Sequence, residues 1–192
     1  MVSGRLDPWE LSVSEHELMA RLGGVSGSAE RVLAACREGV LSAAEGRYVA
    51  ERLPVSENTG RSVRLGGRVI DSAGLSRNLS GCDEAFVIAV TLGAEVDRLL
   101  LKLSRLSAAE HMIADGYASA LCEALCDGVS EMLSSGLSVA PRFSPGYGDL
   151  PLSLQPWLLD TLSAGKLIGI TLGESLLMSP SKSVSAIMGI RK

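Results

Sequence analysis

Residues 142–151 read Arg-Phe-Ser-Pro-Gly-Tyr-Gly-Asp-Leu-Pro, a concentration of unusual side chains in an otherwise aliphatic, serine-rich chain. Arg142 carries a planar, permanently charged fork suited to a carboxylate or a phosphate. Pro145 stiffens the backbone, and Gly146 permits close approach of a ligand to the main chain. Tyr147 offers an aromatic face to a cation or a flat ring, and a hydroxyl to a polar partner. Asp149 could meet an amine. Together these groups suit a small zwitterion bearing extra positive charge. The same residues also compose an ordinary Pro/Gly turn, and their chemistry alone leaves both readings open.

Other chemistries find less support. The only histidines are His16 and His111, and no G-x-S-x-G segment supplies a serine nucleophile, which argues against a hydrolase. No G-x-x-x-x-G-K-[ST] loop is present to cradle a nucleotide triphosphate. Four cysteines, Cys36, Cys82, Cys122 and Cys126, form no C-x-x-C pair and are expected as thiols. Cys122 and Cys126 lie one helical turn apart and could in principle share a soft metal, but with so few histidines core packing is the expected reading and no metal site is expected. A net charge of −4 without any Lys/Arg cluster argues against nucleic acid as a partner. The first residues lack the apolar run of a signal peptide, and the segment from Ala85 to Val90 is far too short to span a bilayer. A cytoplasmic protein without membrane contact is expected.

With 192 residues, 46% of them hydrophobic, the chain is long enough for one domain with a real core. Aromatics make up only 4%, so Leu, Val, Ile and Ala must fill that core. The segment from Ser14, "SEHELMARLGG", has a helix start and a Gly23-Gly24 stop, and "GSAERVLAACREGVLSAA" puts Val32, Leu33, Cys36 and Val40 on one stripe. The period then changes to alternation. Gly66-Gly67 between Val63-Arg64-Leu65 and Arg68-Val69-Ile70 marks a hairpin with positive φ at both turn positions, the alternative being an irregular loop. A buried strand is expected at 85–91, then a Gly-marked turn and a helix. A second helix follows from Ser107 to about Leu133, with Ile113, Leu121, Leu125, Val129 and Met132 facing the core. An amphipathic segment at 152–162 and two or three short strand-like runs complete the chain. "VIAVTLGAE" at 87–95 echoes "LIGITLGES" at 167–175; Gly93 and Gly173 would each end a strand in a conformation closed to other residues, and the echo is either a structural repeat or chance. Strands and helices without a regular βαβ rhythm imply an α+β fold, a largely antiparallel sheet flanked by helices.

Arg142-Phe143-Ser144-Pro145-Gly146-Tyr147 matches R-x-x-x-G-Y, and "GITLGESLLMSPSKSVSAIMGI" carries an L-T-E-S-like turn followed by Pro and S-V-S. With "CDEAFVIAVTLGAEVD" and "ADGYASALCEALCD", these blocks resemble the activation (reactivation) domain of cobalamin-dependent methionine synthase, most closely its short free-standing members. The resemblance covers about residues 80 to 190, the first eighty being only loosely similar. It implies one S-adenosylmethionine-binding domain over residues 1–192, with a helical preface at 1–46 and a core at 47–192 whose twisted sheet carries the ligand in a groove. Arg142 would pair with the methionine carboxylate, Gly146 and Tyr147 would form the loop wall, and Pro145 belongs to the same binding loop. Glu174 occupies the T-E-S-like turn without an assigned contact. The family's acidic residue in the long helix aligns with Ser119, and Glu123 one turn later could reach the same groove. Where full-length enzymes have a His after the G-Y motif, this chain has Ser153.

The chain has no D-x-H-x-x-G segment to ligate cobalt and no cysteine cluster for a substrate-activating zinc. The resemblance therefore implies the reactivation component of a methionine biosynthesis system, with a cobalamin-binding methyltransferase module on a separate chain and a flavodoxin-like or other electron donor. A reactivator for another corrinoid methyltransferase and a non-catalytic S-adenosylmethionine sensor are the alternatives.

Overall fold

The computed structural model describes residues 1–22 and 28–191. A strand β1 (Val2–Leu6) and a 3-10 turn (Pro8–Glu10) precede helices α1 (Glu15–Leu22) and α2 (Ser28–Ala43). Strands β2 (Gly46–Ser56), β3 (Ser62–Leu65) and β4 (Arg68–Asp71) follow, then α3 (Ala73–Asn78) and β5 (Cys82–Thr91). Two long helices, α4 (Ala94–Leu106) and α5 (Ala108–Leu133), lead to the short β6 (Ser138–Val139). After a 3-10 turn (Leu152–Leu154) come α6 (Gln155–Thr161), α7 (Ala164–Leu167), the small hairpin β7 (Thr171–Leu172) and β8 (Met178–Ser179), and finally β9 (Ser183–Arg191). The fold is the expected α+β type.

The main sheet runs β4-β3-β2-β5-β9-β6, with every pairing antiparallel. β2 is long enough to pair with β1 through residues 46–50 and with β3 through 55–56 on the same edge. Alternation along β5 divides the core. Ala85, Val87 and Ala89 face a cluster built from α3, α6, α7 and the β3–β4 hairpin, whereas Phe86, Ile88 and Val90 face the side that α5 crosses. A strand buried on both faces needs a nearly continuous apolar sequence, which explains the run in β5.

Most expected elements are present, with instructive differences. Gly66 and Gly67 form the hairpin turn with φ of +56° and +86°. Residues 2–6 form an edge strand inside the stretch read as a helical preface; with Ser, Gly and Arg at its centre it shows no hydrophobic alternation. The Gly23-Gly24 helix stop lies outside the described residues. Ile113, Leu121, Leu125 and Val129 are buried, but Met132, in the last turn of α5, is 39% exposed and reaches the sheet through its sulfur, which accepts from the Tyr48 hydroxyl at 3.6 Å. The Thr-Leu-Gly echo is not a repeat: the first copy is a ten-residue strand entering a helix, the second a two-residue strand in a hairpin. Gly93 has φ +85°, while Gly173 is not among the positive-φ glycines.

Candidate functional site

α5 positions one wall of the site. Ser107 caps it, its Oγ accepting from the Glu110 N–H at 3.3 Å, and the helix continues for 26 residues. Steps of four and three place Glu123, Asp127 and Ser130 in one row. Opposite lies β9, whose alternation sends Val184 and Met188 toward α5, with Arg191 at the end of the strand. Residues 139–147 close the third side. Val139 pairs with Ile190, the Ala140 N–H donates to the Gly189 carbonyl, and Phe143 exchanges both backbone hydrogen bonds with Ile187. From Ala140 to Phe143 the outer strand takes three steps where β9 takes two, so it bulges at Pro141 and Arg142. The bulge turns Phe143 toward the cluster on the far face and leaves Arg142 toward α5.

These three walls enclose an open groove of about 820 Å³. Its electrostatic centre is Arg142, whose side chain is 24% exposed. Nη1 donates to Asp127 Oδ1 at 2.6 Å and to Ser130 Oγ at 3.2 Å, and Nη2 donates to Glu123 Oε2 at 3.4 Å. Burial opposes the charge, but the Asp127 hydrogen bond and the neighbouring negative charges outweigh it and hold the guanidinium's pKa above its ordinary value. Ser130 gives its own proton to the Cys126 carbonyl at 2.7 Å, which leaves an oxygen lone pair fixed toward Arg142. Arg191 is the second cation lining the groove.

Tyr147 stands at the mouth, 69% exposed, with its ring edge-on to Phe143 at 5.6 Å and 83°. The loop beneath it ties itself together: the Gly146 N–H donates to the Leu150 carbonyl at 2.8 Å, and the Leu150 N–H to Tyr147 at 3.1 Å. Gly146 has φ +87°, a conformation that another residue would strain. Pro145 and Gly146 thus shape the loop but do not line the groove, whereas Ser144 does.

Asp149 has a different task from meeting an amine. It accepts from Ser72 Oγ at 2.6 Å and from the N–H groups of Ala73 and Gly74 at 2.6 and 3.0 Å, at the start of α3. The Ser72 hydrogen bond, helped by the two backbone donors, holds its carboxyl below the ordinary range. A Cβ on Gly74 would lie 2.7 Å from Asp149 Oδ1, so the absence of a side chain there permits the contact.

The structure therefore brings Arg142, Tyr147 and Glu123 together in one groove and leaves Glu174 outside it, exposed in the β7–β8 hairpin. Ser119 is also outside the lining: its Oγ donates to the Asp115 carbonyl and accepts from Lys182 Nζ at 2.9 Å. Ser153 is exposed on the 3-10 turn before α6. All four cysteines are buried, and among the described residues no group of three or more His, Cys, Asp or Glu could hold a metal. No helix of the described residues is long and apolar enough to cross a membrane. Sequence reasoning missed Asp127 and Ser130, although the helical row that contains Glu123 passes through both. The β9 and β6 residues of the lining gave no such sign, because only the strand pairing brings them beside α5.

No protein-family model matches the chain, and no curated protein matches it in sequence. Solved structures do. The crystal structure of the MetH reactivation domain bound to AdoHcy aligns with a TM-score of 0.68 at 16% identity, covering 98% of this chain and 77% of the other. The two share a fold. That domain's own ligand, AdoHcy, is S-adenosylhomocysteine, the thioether left when S-adenosylmethionine gives up its methyl group.

Proposed function

We propose that this protein binds S-adenosylmethionine in the groove between α5, β9 and residues 139–147, and serves as a reactivation component for a cobalamin-dependent methionine synthase. The observation that carries the reading is Arg142 held between Glu123 and Asp127 in an open groove, on a fold shared with an AdoHcy-bound reactivation domain. A fork cation beside two carboxylates and an aromatic wall fits the carboxylate, the ammonium and the flat base of such a ligand. Arg142 would take the ligand carboxylate, Glu123 the ammonium, and Tyr147 would cover one side of the bound molecule.

The cofactors would supply the chemistry: one-electron reduction of cob(II)alamin on a partner protein, by an electron donor, coupled to methyl transfer from the sulfonium, would give methylcobalamin and S-adenosylhomocysteine. This chain's residues hold the ligand so that its methyl group faces the partner, and positioning is where a rate gain would arise. No side-chain acid or base is required for that task.

Calorimetric titration with S-adenosylmethionine and S-adenosylhomocysteine tests the binding; absence of heat with both, alone and with a corrinoid partner, overturns the proposal. Mixing the protein with a cob(II)alamin-loaded methyltransferase, a reductant and S-adenosylmethionine should yield methylcobalamin. Binding without methylcobalamin would leave a sensor of the same ligand, and methylcobalamin on a different corrinoid protein would reassign the partner.

A further inference from the structure

The Arg142 fork already holds a carboxylate. Asp127 meets Nη1 at 2.6 Å, closer than Glu123 meets Nη2 at 3.4 Å, so the two acids stand in unequal positions. Their surroundings differ as well: the Asp127 side chain is 70% exposed, Glu123 is 38% exposed, and Arg142 is 24% exposed. Asp127 can therefore swing into water at little desolvation cost, whereas the guanidinium is too enclosed to stand comfortably without a partner. Ser130, its lone pair fixed by the bond it gives to Cys126, keeps Nη1 oriented while the carboxylate partner changes.

We infer that Asp127 is an internal competitor for the Arg142 fork, occupying it in the unliganded protein and returning to it as the ligand leaves. This inference rests on the proposed function, because it assigns the ligand carboxylate to Arg142. Asp127 then does two things. It keeps the fork paired and aimed into the groove between ligands, and it lowers the affinity for any ligand whose carboxylate must displace it. Ligands without a carboxylate do not meet this competition. A protein that gives up a methyl group needs the demethylated thioether to leave, and a carboxylate waiting beside the fork favours that departure.

The experiment measures binding of S-adenosylhomocysteine and of 5′-methylthioadenosine, which lacks the amino-acid end, to the full chain and to Asp127→Asn. Loss of the competing charge should tighten S-adenosylhomocysteine about three- to fivefold, the range of a solvent-screened charge pair, with most of the change in a slower dissociation rate. The affinity for 5′-methylthioadenosine should stay the same. Asp127→Ala, with circular dichroism and a melting curve to confirm folding, should move in the same direction. Unchanged S-adenosylhomocysteine affinity in folded variants overturns the inference, and weaker affinity overturns it by making Asp127 a ligand contact. If neither compound binds any of the three proteins, the proposed function itself fails and the inference falls with it.

Discussion

Arg142 and Asp149 are the two charged residues of one ten-residue loop, and they do opposite work. Arg142 faces the α5 side of the sheet, where its partners are the side chains of Asp127 and Glu123, which the proposed ligand would displace or share. Asp149 faces the other side, where its partners are a hydroxyl and two backbone donors at the start of α3. A carboxylate that satisfies helix N–H groups stabilises local structure, while a guanidinium paired with half-exposed and exposed acids at an open groove is the group proposed to meet a ligand. What separates them is the bulge at Pro141 and Arg142 and the turn at Gly146, which decide the face each side chain meets.

The hardest way to break this contrast is to attack the closed face. Leu158 is fully buried in the cluster that also holds Leu150 and Leu154, and Leu158→Ala should cost about 2–5 kcal/mol of stability, measured by urea unfolding. Ligand affinity of the folded fraction should change little. A collapse of affinity in protein that is still folded would show that the two faces are coupled and that the division drawn between them is wrong.

Arg142→Ala comes next and should act on binding. Losing a charge-assisted contact to the ligand carboxylate should cost roughly 1.5–3 kcal/mol, about ten- to a hundredfold in affinity, by calorimetry. The melting temperature should move little, since the acids it leaves behind, Glu123 and Asp127, are 38% and 70% exposed and can hydrate. Arg142→Lys should not restore binding fully, because an ammonium cannot reproduce the fork.

How far these roles were legible in the sequence follows from the kind of signal each leaves. β5, α5 and the β3–β4 turn carry periodicity or paired glycines, and all three are where the pattern puts them. β1 carries no such pattern, because it is held by backbone pairing to β2 at an exposed edge. Arg142, Glu123 and Tyr147 stand together in the groove, but Asp149 misled, since a carboxylate for an amine and a carboxylate for backbone N–H groups are identical until the fold supplies the donors. Glu174 is a similar case: its motif is clear, yet a short hairpin carries it away from the groove.

Asp149→Asn sharpens the contrast from its structural side. The variant should melt earlier than the parent and bind S-adenosylhomocysteine equally well. Because the folded protein lowers the pKa of Asp149 below its ordinary value of 3.8, the stability it contributes is fully present above that value. It is lost as the pH falls through the lowered folded value. The difference in urea midpoint between parent and variant should therefore be constant from about pH 7 to 5 and close only in strong acid. A gap that closes near neutral pH would assign the effect to another group.

Tyr147 should give the smallest effect and tests the open side most finely. Its ring is mostly exposed and meets the protein chiefly through the edge contact with Phe143, so Tyr147→Ala should shift stability by less than about 0.5 kcal/mol. If the ring covers a bound ligand, the same change should weaken S-adenosylhomocysteine by about 0.5–1.5 kcal/mol, two- to tenfold, and 5′-methylthioadenosine by a similar factor. Tyr147→Phe should bind like the parent. Equal losses for the two ligands would place the ring over the nucleoside end, whereas a loss confined to S-adenosylhomocysteine would place it beside the amino-acid end near Arg142. The ratio of the two therefore orients the ligand in the groove even when each change is small.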